Sequence, residues 1–253
     1  MKNIVLITGG GKRLGSLIAR ELSKESFHIV LHYNKSEKEA LETKEDIIKN
    51  GGKIHLIRKE ITFETDAIDL ICESINILED IENQQFTLIN NASAFKYDQG
   101  HDFTENILDE HIHANFKIPT LLMKSLNNQL SEKLNGNVIN MLDAKLFGLN
   151  PDHYTYTLSK FALLGLTKVA SLSYAPKMRV NGIAPGFTLP NPEHGAEDFK
   201  RIQRLNPLHK GPNPSDLINA VKFLIKTLSI TGENILIDGG AHLSPQKRDA
   251  TFL

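Results

Sequence analysis

The chain has 253 residues, 40% of them apolar, and its 29 Lys and Arg nearly balance 30 Asp and Glu for a formal net charge of −1. That length suits one sizeable α/β core, and with no basic block and no apolar run of membrane-spanning length the composition offers no footprint for nucleic acid or a bilayer. The expected partner is a small molecule or another protein chain.

The apolar run Ile4 to Ile7 leads directly into TGGGKRLG, Thr8 to Gly15, after which Leu14, Leu17, Ile18 and Leu22 share one helical face. A strand, a glycine-rich turn and a helix form the context a dinucleotide pyrophosphate needs. The glycines let the backbone bend and approach the anion, and the helix start aims unpaired N–H groups and a positive dipole end at it. The strand FHIVLHY follows, then a charged helix near 36–50, the strand KIHLI, a helix carrying Ile68 to Leu78 and the strand FTLIN. Cys72, the only cysteine, falls in that helix with Ile68, Ile71 and Ile75 and reads as a small buried hydrophobe in a reducing compartment. The first strand begins at about residue 3, leaving no space for a secretory leader, so a cytoplasmic protein is expected.

Helices then run to about residue 132, followed by the strand NVINML and a long helix from about residue 153. RVNGIAP, a Pro- and His-containing loop from about 185 to 213, a helix near 214–227 and the strand ENILIDGG complete the pattern. Within the loop, TLPNPEHG is a candidate flap. Strands each followed by a helix require parallel pairing and right-handed crossovers. The expectation is one Rossmann-type domain over 1–253, a doubly wound parallel sheet of about seven strands with helices on both faces. The end, 244–253, reads as a tail that packs on a neighbouring subunit or frays.

Tyr156 and Lys160 lie four apart in YTYTLSKFALLGL, one helical turn from each other on the same face. An ammonium beside a phenol favours the phenolate and brings its acid/base behaviour toward neutral pH. Cofactor choice is argued separately. An NAD-specific turn needs a carboxylate about twenty residues on, whereas His32, Tyr33, Asn34, Lys35 and Ser36 contain no acid. With Arg13 able to reach the same corner, the setting is cationic, suits a 2′-phosphate and prefers NADP(H). His111 and His113 diverge on a helix, and no second ligand cluster accompanies them, so no metal is expected.

Taken together, the chain resembles the short-chain dehydrogenase/reductase family from residue 3 to about 243. The residues that carry the resemblance are TGGGKRLG, NNAS at 90–93, Asn115 in HANFKIP, Tyr156 with Lys160, RVNGIAPG at 179–186 and TGENILIDGG at 231–240. It implies that Tyr156 is the acid/base, that Lys160 assists it and binds the nicotinamide ribose, and that Asn115 holds a water on the proton relay. It further implies a cofactor lined by Gly9, Arg13, Leu14, Asn91, Ala92, Ser93, Met141, Pro185, Gly186 and Thr188, with Glu60 and Ile61 near the adenine. Asp143 stands where the family has a serine that polarises a carbonyl, and Arg13 stands where most members have glycine.

Both departures, with LHYNKS and the phenylalanine of NNASAF, look like the pteridine reductase branch. That likeness implies a pterin-like substrate, with Asp143, Tyr156 and Lys160 as the catalytic group and Phe95 over one face of the ring. Ser93 and Arg13 would reach both phosphate and pterin, and His153 would stand at the far wall, where the branch often has a second aromatic. The loop 186–213 would shape the substrate site, and a homo-oligomer, as in tetrameric relatives, would form through helices near 101–131 and 153–173. Two other functions stay open: a ketoreductase for 3-oxoacyl thioesters or sugars, and an NADP(H)-binding sensor without chemistry. Asp143 argues against the ketone, because an ionised carboxylate disfavours negative charge developing on a carbonyl oxygen.

Overall fold

Along β1 (Ile4–Ile7) every side chain is buried, Ile4 and Leu6 on one face of a sheet and Val5 and Ile7 on the other. An apolar run of this kind belongs in a sheet covered on both sides. The computed structural model, which describes residues 3–25, 27–77, 84–190 and 196–253, builds that sheet from seven parallel strands. The others are β2 (His28–Tyr33), β3 (Lys53–Arg58), β4 (Gln84–Asn90), β5 (Leu134–Met141), β6 (Met178–Pro185) and β7 (Asn234–Ile237). Their order is β3-β2-β1-β4-β5-β6-β7.

The helices are α1 (Arg13–Ser23), α2 (Glu37–Lys49), α3 (Glu64–Asn76), α4 (Glu105–Ile112), α5 (Ile118–Gln129), α6 (Tyr154–Ser173), α7 (Ala196–Gln203) and α8 (Pro214–Lys226). On one face Ile18 and Leu22 of α1 and Leu217, Val221 and Leu224 of α8 pack on Val5, Ile7, Ile29 and Leu31. On the other, Leu70 and Ile71 of α3 and Leu122, Met123 and Leu126 of α5 cover Ile4, Leu6, Val30 and Leu88. Full burial of each such side chain contributes about 1.5–3 kcal/mol of transfer free energy, which is why these positions dictate the two-sided layering.

The winding reverses between β1 and β4, and the carboxyl ends of those strands open the crevice in which such sheets bind ligands. The TGGG turn leaves β1 there and NNAS leaves β4. Two polar rungs cross the same region. Asn90 Nδ2 donates to Asn140 Oδ1 at 2.7 Å, and Asn140 Nδ2 donates to Thr167 Oγ1 of α6 at 2.9 Å, tying β4, β5 and α6 together.

Two expectations change. The loop expected over 185–213 contains α7, whose Glu197 and Asp198 stand near its start and Lys200 and Arg201 near its end, complementing the helix dipole. Phe199 of α7 packs on Phe187, ring centroids 5.0 Å apart. Cys72 is half-buried, not buried. Leu78 and residues 191–195, within the candidate flap, lie outside the described residues. Among the described residues no helix is long and apolar enough to cross a membrane.

Candidate active site

The first turn is locked to the end of β4. Thr8 Oγ1 accepts from the Asn91 and Ala92 N–H groups at 3.0 and 3.1 Å, and Asn91 Nδ2 donates to the carbonyls of Thr8 and Gly9 at 3.0 and 3.1 Å. Gly9 pays for this closeness in conformation, with φ +59°, and a Cβ there would meet the Ala92 Cα at 2.8 Å. Gly9→Ala is therefore expected to lose about 1–2 kcal/mol from the left-handed backbone alone. Displacing Ala92 adds to that, and a thermal melt should show Tm falling by about 2–4 °C per kcal/mol. Arg13 occupies the same left-handed region, φ +53°, without being glycine. Strain of this order persists where surrounding structure enforces it, often at functional sites.

Two residues beyond β5, Asp143 meets the third residue of α6. The Tyr156 hydroxyl donates to Asp143 Oδ2 at 2.6 Å, and the Lys145 N–H donates to Asp143 Oδ1 at 2.9 Å. One turn along α6, Lys160 Nζ donates to the Met141 carbonyl at 2.8 Å and stands 5.7 Å from the Tyr156 ring centroid. Removal from water pushes the Asp143 pKa up, against the pull of its hydrogen bonds and of Lys160. Burial and then the Asp143 charge hold the Tyr156 phenol protonated, its pKa raised well above the usual value. Burial lowers Lys160 to about 8. The lowered phenol expected from the Tyr156–Lys160 spacing thus gives way to a raised one, because Asp143 and burial outweigh the ammonium.

Phe95 stands at the mouth, edge-on to Tyr156 with centroids 4.7 Å apart, and nearly half of it is exposed. Its other face stacks on His153 at 4.1 Å. His153 is buried, donates from Nδ1 to the Lys96 carbonyl at 3.1 Å, and backs Phe95 instead of forming the far wall expected of it. The Asn115 side chain sits in a single π-helical turn, His113–Lys117, a feature frequent at functional sites. Its Oδ1 accepts from Ser93 Oγ and Ala94 N, both at 2.9 Å, and its Nδ2 donates to the Ala94 carbonyl at 3.0 Å and to Ser159 Oγ at 2.9 Å. The two histidines considered for a metal hold structure: His111 bridges Lys96 N and Thr155 Oγ1, and His113 bonds the Ile61 carbonyl.

Residues 3–199 match the family model described as short chain dehydrogenase. The chain belongs to this family. In sequence it is 26% identical to the 3-oxoacyl-[acyl-carrier-protein] reductase FabG of Staphylococcus epidermidis, over 96% of this chain and all of that one. It is also 26% identical to glucose 1-dehydrogenase 2 of Bacillus subtilis, over 96% and 95% of the two chains. Among solved structures it is similar to FolM alternative dihydrofolate reductase 1 from Brucella canis complexed with NADP, at TM-score 0.87 and 33% identity, covering 96% of this chain and 95% of that one. The Brucella suis protein of the same description, also in complex with NADP, matches with the same score and identity over 96% of each chain.

In this short-chain dehydrogenase a cleft of about 690 Å³ brings together Arg13, Leu14, Asn91, Ser93, Phe95, Met141, Asp143, Tyr156, Lys160, Pro185, Gly186 and Thr188. Its wall also includes residues that no local motif marks: Lys145 and Asn150, Ile202 and Gln203 of α7, and Arg248 and Asp249 of the tail. The remaining expected positions lie outside the cleft. Asn34 and Glu60 face each other beyond β2 and β3, Nδ2 to Oε1 3.5 Å, with Lys35 exposed and Ser36 close against Gly11. His32 is no cation for a phosphate. Its Nδ1 accepts weakly from Gly9 N at 3.4 Å, its Nε2 donates to the Lys59 carbonyl at 2.9 Å, and burial depresses its pKa to about 4. The side chains of Tyr33 and Ile61 belong to the core, so only their main chains can serve a ligand.

Proposed function

We propose that this short-chain dehydrogenase is an NADPH-dependent reductase of a pterin-type substrate. The observation that carries the reading is the 2.6 Å contact between Tyr156 and Asp143, a carboxylate where a ketoreductase of the family would use a serine hydroxyl. A carboxylate beside a phenol suits a ring nitrogen that must receive a proton better than a carbonyl oxygen that must carry negative charge. Phe95 offers a flat apolar face beside the same hydroxyl, and a planar heterocycle gains from stacking there. The likeness of this chain to the Brucella structures, described as FolM alternative dihydrofolate reductase 1 with NADP, points the same way.

The residues fit the cofactor. A Cβ at Gly9 or Gly11 would fill the cradle, meeting Ala92 Cα at 2.8 Å and Ser36 Oγ at 2.5 Å, and Lys12, Arg13 and Lys35 supply positive charge where an acid would repel a 2′-phosphate. Bound NADPH supplies a hydride from its nicotinamide ring. When a ring C=N bond is reduced at its carbon, the nitrogen of that bond would take the Tyr156 phenolic proton. Asp143, its affinity for protons raised by burial, then takes up a proton from solvent water and passes it to the phenolate. Lys160 offsets the charge left on the pair, and because the Asn115 side chain is fully engaged, its main-chain carbonyl is the group to hold a relay water. Ser93 and Arg13 line this cleft, and so do Ile202 and Gln203 of α7 with Leu205 and Asn206 after it.

Mixing the protein with NADPH and a dihydropterin is expected to consume the absorbance of the reduced nicotinamide. An acetoacetyl thioester assayed in parallel is expected to be the poorer substrate. The reverse ranking would favour the ketoreductase reading, to which the FabG relatives lend their name. Tight NADPH binding with turnover of neither would favour a sensor.

We also propose a homo-oligomer joined through α6. Tyr154, Leu158, Phe161, Val169 and Leu172 are exposed at helical spacing, Val169 to 63% and Leu172 to 82%, too much apolar surface on one stripe for a helix that faces only water. Val169→Glu should shift the protein to smaller species in sedimentation.

A further inference from the structure

The contact between Asp143 and Tyr156 depends on the segment between them, residues 144–153, which has little structure of its own. It makes one 3₁₀ turn, Ala144–Leu146, then runs irregularly to His153, whose φ is +52°. Besides His153 its titratable side chains are Lys145 and Asp152, one near each end, and both are withdrawn from water, exposed only to 6% and 1%. Consecutive residues of the C-terminal tail meet them with opposite charge. Asp249 Oδ2 lies 2.9 Å from Lys145 Nζ, which also bonds Asn150 Oδ1. Arg248 Nε lies 2.8 Å from Asp152 Oδ2, and the Asp249 N–H donates to the same oxygen at 2.8 Å. The Arg248 guanidinium rests 4.7 Å from the centroid of Phe252, whose ring meets Tyr97 at 4.8 Å, edge-inclined. The tail expected to fray or to serve a neighbouring subunit thus folds over the site of its own chain.

We propose that Arg248 and Asp249 are positioning residues, clamping both ends of the 144–153 segment so that Asp143 is held against Tyr156 for proton transfer. The inference rests on Asp143 and Tyr156 being the reacting pair, and not on which substrate they serve. Removing Arg248 takes the facing cation from the withdrawn Asp152, and removing Asp249 takes the facing anion from the withdrawn Lys145, so the clamp is expected to open when the tail side is removed. The charges act on the pair as well. Asp143 is faced by Tyr156 and Lys160 of α6, by the Lys145 N–H of the 3₁₀ turn and by the Asp249 carboxylate of the tail, which in turn holds the Lys145 ammonium, with Asp152, His153, Arg248 and His242 around them. The Asp249 carboxylate raises the proton affinity of both Asp143 and Tyr156, and the Lys145 ammonium, paired with that carboxylate at 2.9 Å, offsets its charge.

Two substitutions that open the clamp therefore move the pH profile in opposite directions. Asp249→Asn and Lys145→Met are each expected to lower kcat/KM by roughly 10- to 100-fold through misplacement of the pair, with NADPH affinity little changed. The alkaline limb should move to lower pH in Asp249→Asn and to higher pH in Lys145→Met, by about half a pH unit or more. Limbs that move the same way, or stay put, would overturn the proposal. The assay uses whichever of the dihydropterin and the thioester the wild type reduces, so a failure of the pterin reading is seen separately in the wild type. Amide hydrogen exchange needs no turnover and no surviving Asp249 variant. Arg248→Ala should speed exchange across 144–153 while leaving β1 and β4 protected, and unchanged exchange there would equally overturn the clamp.

Discussion

Tyr156→Phe is expected to lower kcat by about 10²- to 10⁴-fold, the usual worth of a positioned general acid, with NADPH binding within a few-fold of wild type. The ring of the variant keeps its packing against Phe95 and Lys160, so the loss reports the hydroxyl and not the fold. Rapid-quench or stopped-flow turnover with a dihydropterin, beside fluorescence titration with NADPH, separates the two. A variant that retains a tenth or more of wild-type kcat would show that another group delivers the proton. The pH dependence follows from the same groups. Reduction needs a proton on the Asp143–Tyr156 pair, and burial keeps it there beyond the ordinary carboxylate range, so activity is expected to hold through neutral pH. Lys160, lowered to about 8, is charged below that pH and neutral above it. As pH rises through that value the ammonium that balances Asp143 is lost, and kcat should fall on the alkaline side. In Tyr156→Phe the residual rate should lose this limb.

The strands were legible because their code is local. A run such as IVLI or FTLIN must be buried on both faces whatever surrounds it, and the glycines of the first turn announce a close backbone approach before any partner is known. Tyr156 and Lys160 were legible as a pair because helical spacing alone places them on one face, whereas the role of Asp143 came from resemblance, since nothing in its neighbours says that it meets a residue thirteen positions on. What was missed depends on distance along the chain. The exchange of charge between Lys145 and Asp249 spans 104 positions, and a single Lys and a single Asp carry no mark of each other. His32 was placed with the cofactor residues for a related reason: its position after the second strand is visible in the sequence, whereas its burial and both of its ring partners are not. Helix α7 was hidden by its surroundings. Its acid-first, base-last order over AEDFKRIQ was present, but it is short and borders a Pro- and His-containing loop.

Asp143→Ser is expected to exchange one substrate class for another, which makes it the sharpest test of why a carboxylate stands at this position. Serine leaves space where the Asp143 carboxylate was, and its hydroxyl can donate, which an ionised Asp143 cannot. Two consequences follow from removing the charge. Lys160 loses the Asp143 charge that supports its ammonium against burial, so the alkaline limb of the profile should move to lower pH. The pair also loses the group that returns a proton to the phenolate, and dihydropterin turnover is expected to fall by about 10²-fold or more. A carbonyl oxygen, by contrast, would gain a hydrogen-bond donor in place of a repelling charge, a change in transition-state stabilisation worth about 2.7–4 kcal/mol where such donors have been removed from other enzymes. The ratio of kcat/KM for an acetoacetyl thioester to that for a dihydropterin should therefore rise by several orders of magnitude, through the loss on the pterin and the gain on the carbonyl together. A variant whose ratio stays at the wild-type value would mean that Asp143 orders the 144–153 segment, through its bond to the Lys145 N–H, and takes no part in choosing the substrate.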